Sequence, residues 1–213
     1  MRIILFLLCI STLNADVLSN LEKSFASDGP FVAGKLLTKL KPGIHYLEGA
    51  SDNQSELLIS IHGWKTNGFE WVYPLIELDS EDNRIAFFRW NTSGCPNKAT
   101  EQLYKIVNTQ AHNYEKITLI GHSYGGIIVT KLLNRDFAKP IDMHIIASGI
   151  SGDPRLNSFC GYKPPAKTSL NVTAFQWMTQ KDLDGAFKDL KIDTQIQKIE
   201  GVSAVRLPEE YKG

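Results

Sequence analysis

A serine flanked by glycines lies between two stretches of different character. Gly121, Ser123 and Gly125 fit the pattern G-x-S-x-G. An apolar run rich in β-branched residues ends at Gly121, and the residues after Gly126 have a helical pattern. This order predicts a strand, a tight turn and a helix with the serine at the apex, where crowding requires small neighbours. The hydroxyl would be a nucleophile for a carbonyl carbon, and the alternative is a serine that only caps the helix.

Apolar runs and helical patterns alternate along the rest of the chain. Helical spacing of apolar residues marks a lead-in over 16–40, broken at 28–30, and helices over 69–78 and 98–111. Strands are predicted at 43–47, 56–61, 84–90, 116–121, 141–147, 170–177 and 197–205, with a loop over 149–168. The alternation predicts an α/β fold, a mostly parallel doubly wound sheet, in a single domain over 16–213.

The first fifteen residues have a different composition. Arg2 precedes an apolar core over 3–10, and Leu13-Asn14-Ala15 ends on a small residue. We interpret 1–15 as a signal peptide, which predicts a secreted or periplasmic protein. The apolar run is too short for a membrane span, so no stable membrane anchor is expected. The 23 basic and 23 acidic residues balance, so nothing favours a nucleic-acid partner.

Two cysteines remain in the predicted mature chain, Cys95 and Cys160. An even pair in an oxidising compartment suggests a disulfide, and two separately buried thiols are the alternative. The histidines are scattered, and no His or Cys pair has metal-ligand spacing. The glycine-rich turn lacks the Lys-Ser or Lys-Thr ending of a phosphate-binding loop. We therefore expect neither a metal nor another cofactor.

The order of three motifs resembles the α/β-hydrolase superfamily, and within it the small bacterial lipase and esterase-like branch. His62-Gly63 follows one predicted strand, the Ser123 turn follows a later one, and Asp184-Gly185 follows a third. The resemblance covers about residues 55–190. It implies a serine hydrolase with a Ser-His-acid mechanism acting on an ester, thioester or amide carbonyl, with a small-molecule or lipid ester as the substrate class.

The resemblance also implies where the oxyanion would be held. His62-Gly63-Trp64 is similar to the family's oxyanion loop, so the backbone amides of Trp64 and Tyr124 would face the developing negative charge. In this interpretation His62 orients the loop, and a plain turn after a strand is the alternative. His122, next to the nucleophile, is interpreted as a packing or hydrogen-bonding residue whose side chain points away from Ser123.

Three aspartates are candidates for the catalytic acid. Asp184 matches the Asp-Gly pattern of bacterial lipases, Asp182 lies two residues earlier, and Asp153 in Gly152-Asp-Pro154 resembles the acid position of some animal lipases. Any of them is alternatively a turn aspartate, which is common before glycine or proline.

The general base is missing from the expected place. In the family order a histidine follows the acid, but the five histidines are His45, His62, His112, His122 and His144. The prediction is therefore an α/β-hydrolase fold that is C-terminally truncated, without the segment that carries the catalytic histidine. The rival hypotheses are a catalytically impaired remnant or binding protein, and an acyl transferase with the same residues. Residues 149–168 are the expected cover of the site, tied by Cys160 to the Cys95 loop.

Overall fold

A computed structural model describes residues 16–210, which form a seven-stranded sheet with helices on both faces. The strands are β1 (Gly43–Tyr46), β2 (Glu56–Ile61), β3 (Asn83–Arg89), β4 (Lys116–His122), β5 (Ile141–Ile146), β6 (Val172–Met178) and β7 (Val202–Arg206). The helices are α1 (Val17–Asp28), α2 (Pro30–Thr38), α3 (Phe69–Glu77), α4 (Asn97–Gln110), α5 (Tyr124–Thr130) and α6 (Pro154–Phe159).

The sheet order is β1-β3-β2-β4-β5-β6-β7, and only the edge strand β1 runs antiparallel to its neighbour. The mostly parallel, doubly wound α/β class predicted from the alternation is therefore confirmed. Because the central strands are parallel, their carboxyl ends meet at one edge of the sheet. The residues that follow β2, β4 and β6, which carry the predicted motifs, are delivered to that edge.

Two apolar layers enclose the sheet. Five of the six residues of β2 are buried, as expected for a strand covered on both faces. One layer joins the sheet to α4 and α5 through residues such as Leu103, Val107 and Ile128. The other joins β2 and β3 to α1–α3, with Leu21, Leu37 and Trp71 at its centre. Within residues 16–210, no helix is long and apolar enough to span a membrane.

The lead-in predicted over 16–40 is two helices, separated at Gly29, where φ is +79°. A positive φ is easily reached by glycine, and Pro30 begins the next helix with its φ already suited to a first turn. The side chain of Asp16 caps α1 by accepting a hydrogen bond from the Ser19 amide at 3.1 Å.

The prediction of loop throughout 149–168 is wrong over six residues, because α6 forms there. Asp153 caps this helix and Pro154 is its first residue, a start signal that is hard to find in a helix too short for periodicity. The last strand begins at Val202, later than the predicted 197, and β6 begins two residues later than predicted. The signal-peptide prediction for 1–15 lies outside the described residues.

Candidate active site

Ser123 sits on a strained turn between β4 and α5. Its φ of +53° and ψ of −121° lie in a region that residues with a Cβ rarely adopt. Backbone hydrogen bonds hold the turn on both sides. The Ser123 amide donates to the Ile146 carbonyl at 2.9 Å, and the Gly126 amide donates to the Ser123 carbonyl at 2.9 Å. The structure thus places the predicted nucleophile at the apex of a strand-turn-helix, half-buried and with its conformation fixed by its neighbours.

The flanking glycines are required by close backbone packing. A Cβ at Gly121 would lie 2.5 Å from the Gly125 carbonyl oxygen. A Cβ at Gly125 would collide with the carbonyl oxygen of Ile61, the last residue of β2. The small residues therefore let the turn close on itself and let α5 start directly against β2.

The loop after β2 lies against the nucleophile. Ile61 pairs with Gly121 in the parallel register, so the residues after each strand emerge side by side. A Cβ at Gly63 would be 3.1 Å from the Ser123 Cβ and 3.4 Å from its Oγ. The next residues along the two segments, Trp64 and Tyr124, line the same cavity. The structure therefore brings together the two residues predicted to supply oxyanion amides.

His62 braces this loop and is fully buried. Its Nδ1 is 2.7 Å from the Gly63 carbonyl oxygen, and its Nε2 accepts from the Trp90 amide at 3.0 Å and lies 2.8 Å from Arg89 Nη1. The Trp90 indole in turn donates to the His62 carbonyl at 2.8 Å. These contacts fit a neutral ring that carries its proton on Nδ1.

Burial lowers the pKa of His62 to about 4, and the positive charge of Arg89 acts in the same direction. Both ring nitrogens are occupied by hydrogen bonds, Nδ1 to Gly63 and Nε2 to groups at the end of β3, so this histidine is not available to take a proton from Ser123. Sequence reasoning assigned His62 an orienting role but missed its partners Arg89 and Trp90, which come from the end of β3 with no local motif.

His122 lies on the other side of the turn from the nucleophile's cleft. It lines a cavity together with Thr118 and Ile120, which share its face of β4. Burial lowers the pKa of its imidazole, and the charge of Asp184 opposes that shift.

Asp184 is held by the loop that follows β6. One carboxylate oxygen accepts from Thr179 Oγ1 at 2.6 Å, and the other accepts from the Ala186 amide at 2.8 Å. A carboxylate with both oxygens engaged has a fixed orientation. Thr179 is a further residue that the sequence did not reveal, because only its place at the end of β6 marks it.

The other two acid candidates differ in their surroundings. The Asp182 side chain is 89% exposed and pairs only with its neighbour Lys181, at 3.2 Å. Asp153 accepts from the amides of Arg155 and Leu156 at 2.8 and 2.9 Å as the cap of α6. It also lines the cavity beside Tyr124, and its charge contributes to the raised pKa of that phenol, although burial is the larger cause.

No histidine among residues 16–210 makes a hydrogen bond to Ser123. His144 lies in the middle of β5, where its Nδ1 accepts from the Trp177 indole at 3.1 Å and its ring stacks on Phe175. His45 lies on β1 with its Nε2 2.7 Å from the Lys41 carbonyl oxygen, and His112 is exposed after α4. In the same range, no group of three or more His, Cys, Asp or Glu side chains is arranged to hold a metal ion.

A cleft of about 290 Å³ opens beside the nucleophile turn. Its walls are the Trp64 loop, Tyr124, the loop at 92–94 and α6, whose Leu156 and Phe159 face it. Cys95 and Cys160 form a disulfide with a Cα–Cα distance of 5.4 Å. The predicted disulfide is therefore confirmed, and it ties α6 to the loop before α4.

Comparison of the sequence with protein-family models finds no match, and none is found among curated proteins. Solved structures do resemble this chain. An α/β serine hydrolase homologue from Coxiella burnetii is 14% identical, with 76% of this chain and 79% of that one covered and a TM-score of 0.49.

Two further structures are similar to the same extent. Est816, named as an N-acyl homoserine lactone degrading enzyme, is 14% identical over 78% of this chain and 88% of that one, with a TM-score of 0.48. A putative α/β hydrolase from Agrobacterium tumefaciens, ATU1826, is 14% identical over 78% and 79%, with a TM-score of 0.48. At 14% identity the likeness says nothing of this chain's activity.

Proposed function

We propose that this chain is a serine hydrolase of the α/β-hydrolase superfamily, of the lipase or esterase type, that acts on carboxylic esters of small molecules or lipids. The observation that carries the proposal is the contact between a strained serine turn and a glycine loop. Ser123 is pressed against Gly63, and the residues that follow them, Trp64 and Tyr124, open on one cleft. A capping serine in an ordinary helix would need neither the positive φ nor the glycine contact.

The proposed reaction begins with attack of the Ser123 Oγ on the ester carbonyl carbon. The carbonyl oxygen takes up the negative charge, and the backbone N–H groups of Trp64 and Tyr124 stabilise it. Collapse of the tetrahedral adduct expels the alcohol and leaves an ester of Ser123, which water then hydrolyses to the acid and the free serine. Amides fixed before the substrate arrives stabilise the transition state without reorganising.

Asp184 is the acid that the structure supports best. Thr179 and the Ala186 amide hold its carboxylate at the edge of the sheet where the nucleophile also lies. A carboxylate in this place orients the protonated nitrogen of an imidazole and stabilises its cation. Asp153 stays a second candidate because it lines the cleft, although helix capping already occupies its Oδ1.

The proton from Ser123 needs an acceptor, and no histidine in residues 16–210 is placed to take it. Without a base among these described residues, acylation is expected only from esters with good leaving groups, with buffer or hydroxide accepting the proton. Oxyanion stabilisation and binding alone leave roughly 10³–10⁴-fold catalysis over water in well-studied serine hydrolases that lack a triad member. We therefore expect slow turnover that a dissolved base accelerates.

A second candidate function is a non-catalytic binding protein that keeps the hydrolase fold. Two observations favour it. Both ring nitrogens of His62 are already engaged in hydrogen bonds, and the other histidines lie away from Ser123. A binding protein would still have the cleft of about 290 Å³, but its Ser123 would not be acylated. The confirmed disulfide is in keeping with the predicted export under either function.

Hydrolysis of p-nitrophenyl acetate, with and without added imidazole, separates the two functions. The proposal predicts a burst of one p-nitrophenolate per chain, slow turnover, and an imidazole-dependent rate above the solution background. The Ser123→Ala variant should lose both the burst and the excess rate, whereas Ser93→Ala, an exposed serine near the cleft, should keep them. Equal rates for wild type and Ser123→Ala, at every imidazole concentration, would favour the binding protein.

A further inference from the structure

Large aromatic side chains surround the mouth of the cleft. Trp64 and Phe159 line the cleft and are 54% and 76% exposed. Phe69 begins α3 beyond the Trp64 loop, and its ring centroid is 4.7 Å from that of Phe31 on α2. These four residues, which we call the aromatic rim, lie at the edge of the sheet where the parallel strands end, because the Trp64 loop follows β2 and α6 follows β5.

The aromatic rim is apolar surface that the fold leaves in water. Phe31 and Phe69 are 66% and 39% exposed, and the fifth exposed aromatic residue of 16–210, Tyr73, is one turn after Phe69 on the same side of α3. Elsewhere in this range the exposed large apolar side chains are aliphatic, such as Leu170 and Ile192. Because grouped exposed apolar residues mark interaction sites, this concentration of aromatic rings around one cleft indicates a partner.

Cations lie among these aromatic residues. Lys35 is one helical turn after Phe31 on α2, and Arg155 lines the cleft. The Nζ of Lys65 is 4.4 Å from the centre of the Trp64 ring. All three cations are exposed, and none of them forms an ion pair within residues 16–210. Their charges are therefore free to attract a partner.

Carboxylates near the aromatic rim offset this charge only in part. Asp153 accepts two amide hydrogen bonds on its Oδ1 as the cap of α6, and burial raises the pKa of Glu70 on α3. Three cations are thus opposed by two carboxylates, which leaves a positive net charge around the rings. An anionic surface is complementary to that charge.

We propose that the aromatic rim binds reversibly to an anionic lipid surface, with its rings at the boundary between headgroups and acyl chains. Aromatic residues together with lysines are typical of surfaces that adsorb to membranes, whereas lysine is depleted from protein–protein interfaces. Such adsorption needs no spanning helix, because the apolar area and the attraction to anionic lipids both contribute to it. It would place the opening of the cleft at the lipid, and it does not depend on the activity of Ser123.

Sedimentation of the full chain with vesicles of ether-linked lipids, which contain no ester for Ser123 to attack, tests the proposal. Binding should be at least about tenfold tighter to an equal mixture of phosphatidylcholine and phosphatidylglycerol than to phosphatidylcholine alone, because each cation near an anionic surface contributes about fivefold. Phe31→Ser and Phe159→Ser should each weaken binding to the mixed vesicles about tenfold, because each removes one large apolar side chain from the lipid. Lys65→Gln should weaken that binding about fivefold and leave binding to phosphatidylcholine unchanged.

Tryptophan fluorescence locates the contact. Of the four tryptophans only Trp64 is exposed, while Trp71 and Trp90 are buried. The mixed vesicles should therefore shift the emission of Trp64 to shorter wavelength and protect it from quenching by acrylamide. Trp64→Phe keeps an aromatic ring at the rim, so this variant should still bind the vesicles but should lose the shift.

Leu170 supplies the matched control, because it is fully exposed and precedes β6, at the opposite edge of the sheet. Leu170→Ser and Ser123→Ala should bind the vesicles as the wild type does. Absence of wild-type binding to the mixed vesicles, an equal loss in Leu170→Ser and Phe31→Ser, or an unshifted emission from the bound chain would overturn the proposal. A dimer in size-exclusion chromatography that Phe31→Ser dissociates would also overturn it, since the aromatic rim would then bind a second copy of the chain.

Discussion

Ser123 has a backbone conformation that costs stability and that its chemistry requires. A residue with a Cβ at φ +53° is strained by about 1–3 kcal/mol, and the surrounding hydrogen bonds hold it in place. The strain presents the hydroxyl beside Gly63, and a relaxed turn would turn it elsewhere. Stability and reactivity therefore oppose each other at this residue.

Removing the Cβ of Ser123 should relieve this strain. We expect Ser123→Gly to be about 1 kcal/mol more stable than Ser123→Ala, because both lack the hydroxyl and only alanine keeps the strained Cβ. Urea unfolding followed by circular dichroism measures the difference. If the alanine variant is the more stable of the two, the turn is not strained in the way described.

A methyl group at Gly63 should harm reactivity more than folding. The added Cβ would lie 3.1 Å from the Ser123 Cβ, so the serine or the loop must shift by a few tenths of an ångström. We expect Gly63→Ala to reduce the p-nitrophenyl acetate burst rate at least tenfold, with a small change in the urea midpoint. Gly49→Ala, where nothing lies within 4 Å of the new Cβ, is the matched control and should react like the wild type.

At the scale of elements, α6 forms the outer wall of the cleft and depends on one covalent tie. The helix has only six residues, so its own hydrogen bonds hold it weakly, and Cys160 joins it to Cys95 across 65 residues of chain. The disulfide reduces the conformational entropy of the unfolded chain, and in the folded chain it keeps the cleft wall beside Tyr124.

Loss of the disulfide should destabilise the fold and loosen the cleft wall first. We expect the double variant Cys95→Ala/Cys160→Ala to lose about 2–4 kcal/mol of unfolding free energy, as is typical for a bridge that closes a long loop. Hydrogen exchange should rise most in 154–160. Guanidinium unfolding of the variant and of wild type, with and without reductant, checks this. An unchanged midpoint, or exchange that rises first in α4, would contradict it.

Elements were predictable where the chain repeats one signal over several residues. The apolar run of β2 is buried on both faces, and those of β4 and β5 are buried on one face and only partly on the other, so burial and sequence agree. The alternation of strands with helices predicted the parallel sheet. The elbow glycines were predictable because steric crowding acts between near neighbours in the chain. The start of β7 and the helix α6 were missed because short segments take their form from tertiary contacts.

The site's supporting contacts were beyond sequence reasoning for a different reason. Thr179 holds Asp184 from five residues away, and Trp90 holds His62 from 28 residues away, with no local pattern at either position. The aromatic rim likewise depends on α2, α3 and α6 meeting at one edge of the sheet. Such contacts exist only once the sheet order is known.

At the scale of the whole molecule, the fold depends on a histidine that stays neutral. His62 is fully buried with a pKa of about 4, against an unfolded value near 6.5. Between these pH values the unfolded chain binds the extra proton, so stability falls as pH falls. The slope for this residue approaches 1.4 kcal/mol per pH unit in that window.

Unfolding free energies measured from pH 7 to pH 4 should show this loss. Burial lowers the pKa of His122 and His144 too, so they act in the same direction, whereas the raised pKa of Glu48 and Glu70 opposes it. The variant His62→Gln removes the contribution of His62 to this pH dependence. Its unfolding free energy should therefore depend less steeply on pH than that of the wild type. Identical slopes would show that His62 is protonated, or solvated, in the folded chain.

The central claim is that Ser123 is a positioned hydroxyl that faces an oxyanion site and reacts when a dissolved base takes its proton. Intact-mass analysis after incubation with a fluorophosphonate and imidazole, followed by peptide mapping, tests it most directly. Phosphonylation needs the nucleophile, the oxyanion donors and a proton acceptor, but it needs no turnover. We predict one phosphonate per chain, on Ser123, with none in Ser123→Ala and strongly slowed labelling in Gly63→Ala. An unlabelled wild-type chain, or a label on another serine, would contradict the account.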